Sequence, residues 1–301
     1  FNIVALGRRI RSQKPDLLIL QWWHPYFAPC FCLLAGAAGR KVPRLFICHN
    51  VLPHERFPFD KFLTRIALGR GDLFIVHSRS DGEELLTIKK GAKYKLNPHP
   101  TYGSFKVRNL TRDQARAELG WKAEEKILLF FGFVREYKGL KTLLRAMPGI
   151  RACSRDITLV VAGSFGRDRE EYMQLIKELH IENDVYVVDE YLPDHEVEKY
   201  FAACDLVVVP YESATQSGIV QIAFGFEKPV VATNVGGLPD VVEDGKTGYV
   251  VDPGSPEALA EAVLRYFREE KRHEFEKNMR KEADRFSWER MRKTVEELGG
   301  L

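Results

Sequence analysis

The stretch Phe130-Phe131-Gly132-Phe133-Val134-Arg135-Glu136-Tyr137-Lys138-Gly139 joins an apolar run, Ile127 to Phe131, to a helical pattern that begins just beyond Gly139. The run has the length and composition of a buried strand. A strand passing through a glycine-bounded loop into a helix is the unit from which parallel α/β sheets are built, and their ligands bind at the carboxyl ends of the strands. Arg135 offers a planar fork for phosphate oxygens and Lys138 a compact positive charge, so the pair suits a diphosphate and makes a metal dispensable. Without an anion, both are surface cations at a helix start, where the helix dipole disfavours them.

The same alternation extends in both directions. Strand candidates before the quoted stretch are Leu17 to Leu20, Leu45 to Cys48, Leu73 to Val76 and a weaker run at Tyr94 to Leu96. After Ile127 to Phe131 come Thr158 to Ala162, Val185 to Val188, Leu206 to Val209, Val230 to Ala232 and Gly248 to Val250. Amphipathic stretches lie between them: Thr111-Arg112-Asp113-Gln114 reads as a capping box opening a helix that stops at Gly120, Ser255-Pro256-Glu257 opens another, and Ser287 to Leu298 forms a last one. Asn97-Pro98-His99-Pro100-Thr101-Tyr102-Gly103-Ser104 is rich in turn formers and is the expected linker.

Two further loops follow strand candidates of the second part. In Val209 to Ile222, the residues Thr215, Gln216, Ser217 and Gly218 stand where the free amides of a helix N-terminus point outward, which makes either an anion site or an ordinary capped helix. In Val235-Gly236-Gly237-Leu238-Pro239-Asp240 the paired glycines suit a tight loop over a ligand, and Asp240 suits a helix cap or a contact to a sugar hydroxyl, capping being the commoner role. All three loops open on one edge of one sheet.

At 301 residues the chain exceeds the usual size of one core, so two domains are expected. With 45% hydrophobic and 29% charged residues and no long uncharged apolar run, the composition is that of a globular protein without a transmembrane span. Gln21 to Gly39, the most apolar stretch, reads as a strand end, a loop and a buried helix. The net charge of +3 hides an asymmetry: residues 1–100 carry 16 Lys+Arg and 7 Asp+Glu, and the remainder carries 29 and 35. A basic first part suits an anionic membrane surface or an acidic acceptor, or is a solvated face without a partner. No basic-aromatic motif points to nucleic acid. Five scattered cysteines, Cys30, Cys32, Cys48, Cys153 and Cys204, fit buried thiols in a reducing cytoplasm better than disulfides or a zinc site.

The ordered series Gly132, Arg135, Lys138, Gly139, then Pro210 to Pro229 ending in Glu227-Lys228-Pro229-Val230, then Gly236-Gly237-Leu238-Pro239-Asp240 and Asp244-Gly245-Lys246-Thr247-Gly248, resembles the family-4 glycosyltransferases of GT-B fold. The resemblance covers nearly the whole chain. It implies an α/β architecture of two Rossmann-like domains facing across a cleft, the first one incomplete because its opening strand and glycine loop are not in this sequence. The expected division is 1–103 for an acceptor-side domain, 104–285 for the nucleotide-sugar domain, and 286–301 for a helix returning toward the first. It also implies retaining, metal-independent transfer from a nucleotide-diphospho-sugar to a glycan or lipid-linked saccharide, with no cofactor, in the cytoplasm or at the inner membrane surface.

The residues expected at the donor are Arg135 and Lys138 at the diphosphate, with Gly132, Gln216, Ser217, Gly218, Gln221, Gly236 and Gly237 around it and Tyr191 and Leu192 at the base. This sequence departs from the family pattern in two places. Phe133 stands where many members have the loop arginine, with Arg135 two residues later, and Ala214 and Ile222 stand where two glutamates are usual; Glu212 and Gln221 are near but out of register. In the first domain His49, after Cys48, is the candidate for a catalytic-site contact, ahead of His24 and His54. Phe57, Phe59, Phe62, Leu63 and Ile66 with Lys61, Arg65 and Arg70 suit either docking on lipid headgroups or a core-facing helix. A nucleotide-sugar epimerase and a non-catalytic nucleotide-sugar-binding protein are the rival readings, whereas a dehydrogenase is disfavoured by the lack of a G-x-G-x-x-G after a strand.

Overall fold

The computed structural model describes residues 3–37, 39, 41–53 and 56–301, and the chain divides into two compact units, Phe1–Pro100 with Asp284–Leu301, and Thr101–Ala283. His54 lies outside the described residues.

The first unit runs α1 (Ile3–Ser12), β1 (Leu18–Trp22), α2 (Ala28–Ala37), β2 (Arg44–Cys48), α3 (Asp60–Leu68), β3 (Leu73–Val76), α4 (Arg79–Ile88) and β4 (Lys93–Leu96). The strands form a parallel sheet in the order β1-β2-β3-β4. Alternate residues of β2 and β3 face opposite sides. Phe46, Cys48, Phe74 and Val76 pack with Leu20, Trp22, Ala67 and Leu85 in one cluster, and Leu45, Ile47 and Ile75 meet Met291, Val295 and Leu298 in another. Both faces are therefore covered, as a parallel sheet requires. The chain's last helix supplies the second cover.

Two expectations need correction. The helix in Gln21 to Gly39 is only half buried: Leu33 is 56% exposed, while Ala28 and Ala35 are buried. That helix is apolar all round, so its outer side carries hydrocarbon into solvent. The thiols also divide: Cys48 and Cys204 are buried, Cys30 and Cys32 are half-buried, and Cys153 is exposed. Cys153 is the last residue of its helix, three residues beyond Ile150, the last one there that is buried.

The second unit runs α5 (Arg112–Leu119), β5 (Lys126–Phe131), α6 (Leu140–Cys153), β6 (Ile157–Ala162), α7 (Arg169–Glu178), β7 (Val185–Val188), α8 (Asp194–Ala203), β8 (Leu206–Val209), α9 (Gly218–Gly225), β9 (Val230–Thr233), α10 (Leu238–Val241), β10 (Gly248–Val251), α11 (Pro256–Arg268) and α12 (Arg272–Glu282). After it, α13 (Trp288–Gly299) belongs to the first unit. The local signals act as their chemistry requires. Thr111 and Gln114 form a reciprocal capping box, and Gly120 ends α5 in the left-handed conformation at φ 71°. Ser217, Ser255 and Ser287 each accept the amide three residues on.

The second sheet is parallel, in the order β10-β9-β8-β5-β6-β7. This is the doubly wound arrangement, with β5 first and the order reversing between β5 and β8. At that switch point the connections on the two sides leave in opposite directions and open a crevice beyond the strand ends. The loops after β5 and β8 border it.

At the opposite end of the sheet, Asp205 just before β8 ties the unit together. Its carboxylate accepts from Arg116 at 2.8 Å, Arg112 at 3.0 Å and the Ile127 amide at 2.8 Å. Arg116 is fully buried and spends its remaining donors on the carbonyls of Ala203, Lys122, Ala123 and Glu125. A buried guanidinium is tolerated only when its charge and donors are matched in this way.

Candidate functional site

In the second unit the strand-end loops are held against one another by glycines. Gly163, after β6, has φ 150°, and a Cβ there would lie 2.1 Å from the Gly132 carbonyl oxygen; Gly139, at φ 68°, would place one 1.9 Å from the Pro210 carbonyl oxygen. Gly236, at φ 50°, would place one 1.6 Å from the Ala214 oxygen. No side chain fits at these contacts, and the conformations themselves favour glycine. The loops after β5, β6, β8 and β9 thus form one cradle.

Within the cradle, Lys138 lies against Gly132, whose Cβ position is 3.2 Å from its Nζ. Burial, and then the nearby Arg135, bring the Lys138 ammonium down to about 8 from its usual 10.5. Arg135 is exposed, donates to the Val134 carbonyl at 3.2 Å and lies 5.8 Å over the Phe133 ring. Among the described residues neither cation is paired with a carboxylate. Two neighbouring positive charges, one of them largely desolvated, are a costly arrangement that a bound anion relieves.

Beside them a cavity, open to solvent on one side, is lined by Phe131, Gly132, Phe133, Gly163, Tyr191 and Leu192 among others. The Phe133 and Tyr191 rings stack at 6.0 Å. An apolar slot with aromatic walls next to unpaired cations matches a flat heterocycle joined to an anion.

The other expected donor residues fall as follows. Ser217 is the N-cap of α9, buried, and its hydroxyl also meets the Tyr211 hydroxyl at 3.3 Å. Gly218 opens the helix and is exposed, and Gln216 is half-buried before it. Gln221 is buried, with its amide oxygen lacking a hydrogen-bond partner. Gly237 is the N-cap of α10 and donates to the Thr215 carbonyl at 2.9 Å. Asp240 is therefore not the cap expected of it: it sits inside the first turn of a helix that Gly237 already starts. Ile222, in one usual glutamate position, lines the cavity, and the Ala214 carbonyl meets Gly236. Gly163, Ser164 and Glu190 also border the cavity and were not anticipated, although the glycine directly after a strand was a readable signal.

In the first unit His49 follows β2. Its Nε2 lies 2.7 Å from the Gln21 amide oxygen, and burial, then His99, bring its pKa down to about 4. His77 and His99 surround it, neither foreseen from the sequence, at ring separations of 5.2 Å and 5.5 Å. His24 instead accepts the Tyr26 amide at 3.1 Å as a turn cap and stacks on Phe57 at 5.5 Å. The aromatic-basic segment divides between its two readings. Ala67, Leu68 and part of Leu63 face the core, whereas Phe59, Phe62 and Ile66 point outward beside exposed Lys61, Arg65 and Arg70.

A family model described as glycosyl transferases group 1 matches residues 111–284. The chain belongs to this family. Among relatives of this group 1 glycosyl transferase, the D-inositol 3-phosphate glycosyltransferase of Saccharomonospora viridis is 29% identical over 235 residues, 74% of this chain and 54% of that one. The N-acetyl-alpha-D-glucosaminyl L-malate synthase of Bacillus anthracis is 27% identical over 289 residues, 94% of this chain and 72% of that one. The chain spans about half the length of the first curated relatives it matches. Of solved structures, Anabaena HepE in complex with UDP superposes with a TM-score of 0.79 at 22% identity, over 99% of this chain and 82% of that one. Sucrose-phosphate synthase from Thermosynechococcus elongatus gives 0.76, also at 22% identity, over 98% and 76%. The fold of this group 1 glycosyl transferase is GT-B.

Proposed function

We propose that this protein transfers a sugar from a nucleotide-diphospho-sugar to a glycan or lipid-linked saccharide, with retention at the anomeric carbon and without a metal on the diphosphate. The observation that carries the reading is the pair of unpaired cations, Arg135 and Lys138, beside an aromatic-walled cavity at the switch point of the second sheet. A base enters between Phe133, Tyr191 and Leu192, and the two cations hold the diphosphate. The first amides of α9, at Gly218 and Ile219, have no carbonyl partner inside the helix and supply further donors. As the sugar–phosphate bond breaks, negative charge gathers on the departing phosphate, and these fixed groups stabilise it. A HepE structure that carries UDP supports the ligand class.

The departures at Ala214 and Ile222 favour one second reading, nucleotide-sugar binding without transfer. Incubation of the full-length protein with donor and acceptor separates the two: a glycosylated product of retained anomeric configuration supports transfer, and binding without product overturns it. His49 is assigned to the transfer reaction in this proposal, and loss of turnover with intact donor binding in His49→Ala is the matching result.

The acceptor side of the reading is a membrane one. Phe59 and Phe62 are 77% and 61% exposed, Tyr26 on the adjoining turn is 74% exposed, and Lys61 and Arg65 flank them. Apolar rings that insert and cations that meet phosphate headgroups are the features of interfacial docking. Among the described residues no helix is long and apolar enough to cross a membrane. Co-sedimentation with phosphatidylglycerol vesicles, but not phosphatidylcholine vesicles, and its loss in Phe59→Glu/Phe62→Glu is expected; equal recovery from both lipids overturns the docking.

A further inference from the structure

Three adjacent parallel strands deliver three histidines to one place. Cys48 of β2 pairs opposite Val76 of β3, and Val76 opposite Leu96 of β4. Just beyond these level positions the chain continues into His49, His77 and, past the Asn97-Pro98 step, His99. The ring centroids are 5.0 to 5.5 Å apart, and one ring nitrogen of each lies within 4.8 Å of the others.

One nitrogen of each ring is already engaged. His77 Nδ1 lies 2.8 Å from the Asn97 carbonyl, His99 Nδ1 2.8 Å from the Pro100 carbonyl, and His49 Nε2 2.7 Å from the Gln21 amide oxygen. An oxygen of this kind only accepts, so each of those nitrogens carries the proton and the opposite nitrogen of each ring carries a lone pair. A ring N–H donated to a carbonyl is the usual support of a metal-binding histidine, because it fixes the tautomer and the ring plane. His77 adds an independent sign: it is 2% exposed, and its buried Nε2 has no hydrogen-bond partner.

We propose that His49, His77 and His99 form a site for one divalent transition-metal ion of the zinc class, with a fourth position open to water or an exchangeable ligand. Three imidazoles with an open position are a known zinc geometry, and imidazole also suits cobalt and nickel. Tetrahedral bonds of about 2.0–2.1 Å place ligand nitrogens about 3.3 Å apart, so nitrogens now within 4.8 Å of one another close by up to about 1.5 Å. The site lies within the first unit. An ion there occupies His49, so it inhibits transfer if His49 acts in that reaction.

The test is titration of the full chain with Co2+ as the probe, read by visible absorption and by equilibrium dialysis, followed by displacement with Zn2+. One Co2+ per chain with the intense absorption of a four-coordinate nitrogen site is expected. His49→Ala and His99→Ala, both at half-buried positions, weaken binding by about 100-fold or more, beyond what even an outer-shell loss costs. Circular dichroism of each variant checks that it remains folded, and both substitutions leave the buried His77 in place. A His273→Ala control, at an exposed histidine elsewhere, binds as the parent does. Absence of a stoichiometric Co2+ spectrum in the parent, or its persistence in the His49→Ala/His99→Ala double variant, overturns the proposal. Neither readout uses transferase activity, so failure here leaves the transfer reading to its own test.

Discussion

Lys138 is the residue at which charge, burial and ligand meet. Its pKa of about 8 lies below the 10.5 of the unfolded chain, so between those values the unfolded state holds more protons. This group therefore makes the ligand-free protein more stable as pH rises through that window. A diphosphate restores the lysine's proton affinity, so binding at pH 8.5 takes up a proton. Calorimetry in buffers of different ionisation heat is expected to show that uptake in the parent and not in Lys138→Met, and affinity is expected to fall as pH rises above about 8. Replacing either Arg135 or Lys138 with alanine removes a charge-assisted bond and weakens nucleoside diphosphate binding by about 10- to 100-fold. The type of both residues and their place after a strand were legible in the sequence. The unpaired state of the lysine was not, because it depends on which carboxylates the fold keeps away. His77 and His99 escaped notice for a related reason: each looked like a loop residue until strand register set them beside His49.

The elements themselves were legible where apolar runs are continuous, because strands buried on both faces cannot alternate with polar residues. Every strand of the second sheet overlaps such a run. β1 runs further than its pattern suggested: Gln21 interrupts the apolar sequence, yet Trp22 still pairs opposite Cys48 and is wholly buried. The Asp205 hub was invisible, since its partners come from α5, from the start of β5 and, at 3.6 Å, from Arg272 of α12. Removing it leaves Arg116 buried without a counter-charge. Asp205→Ala is expected to cost about 3–5 kcal/mol in urea unfolding, and a loss under 1 kcal/mol contradicts the hub. Gly163→Ala sets a Cβ 2.1 Å from the Gly132 oxygen at a left-handed φ, so it is expected to displace the β5 loop and weaken nucleotide binding more than stability at distant sites. Thermal-shift measurements with and without ligand separate those effects.

On the scale of the whole molecule the charge is divided, with the excess of Lys and Arg confined to residues 1–100. That imbalance was countable in the sequence, but the exposure of Phe59, Phe62 and Tyr26 was not, because helical periodicity does not say which apolar stripe meets the core. Salt should accordingly weaken vesicle binding and leave nucleotide binding in the half-enclosed cradle much less affected. The account depends above all on a diphosphate being gripped by Arg135 and Lys138. Isothermal titration of the full-length protein with a set of nucleoside diphosphates and the matching nucleosides, repeated in Arg135→Ala/Lys138→Ala, tests this most directly. The account predicts that one diphosphate binds far more tightly than its nucleoside and that the double variant abolishes the difference. Equal affinity for the two in the parent, or an unchanged preference in the double variant, contradicts it.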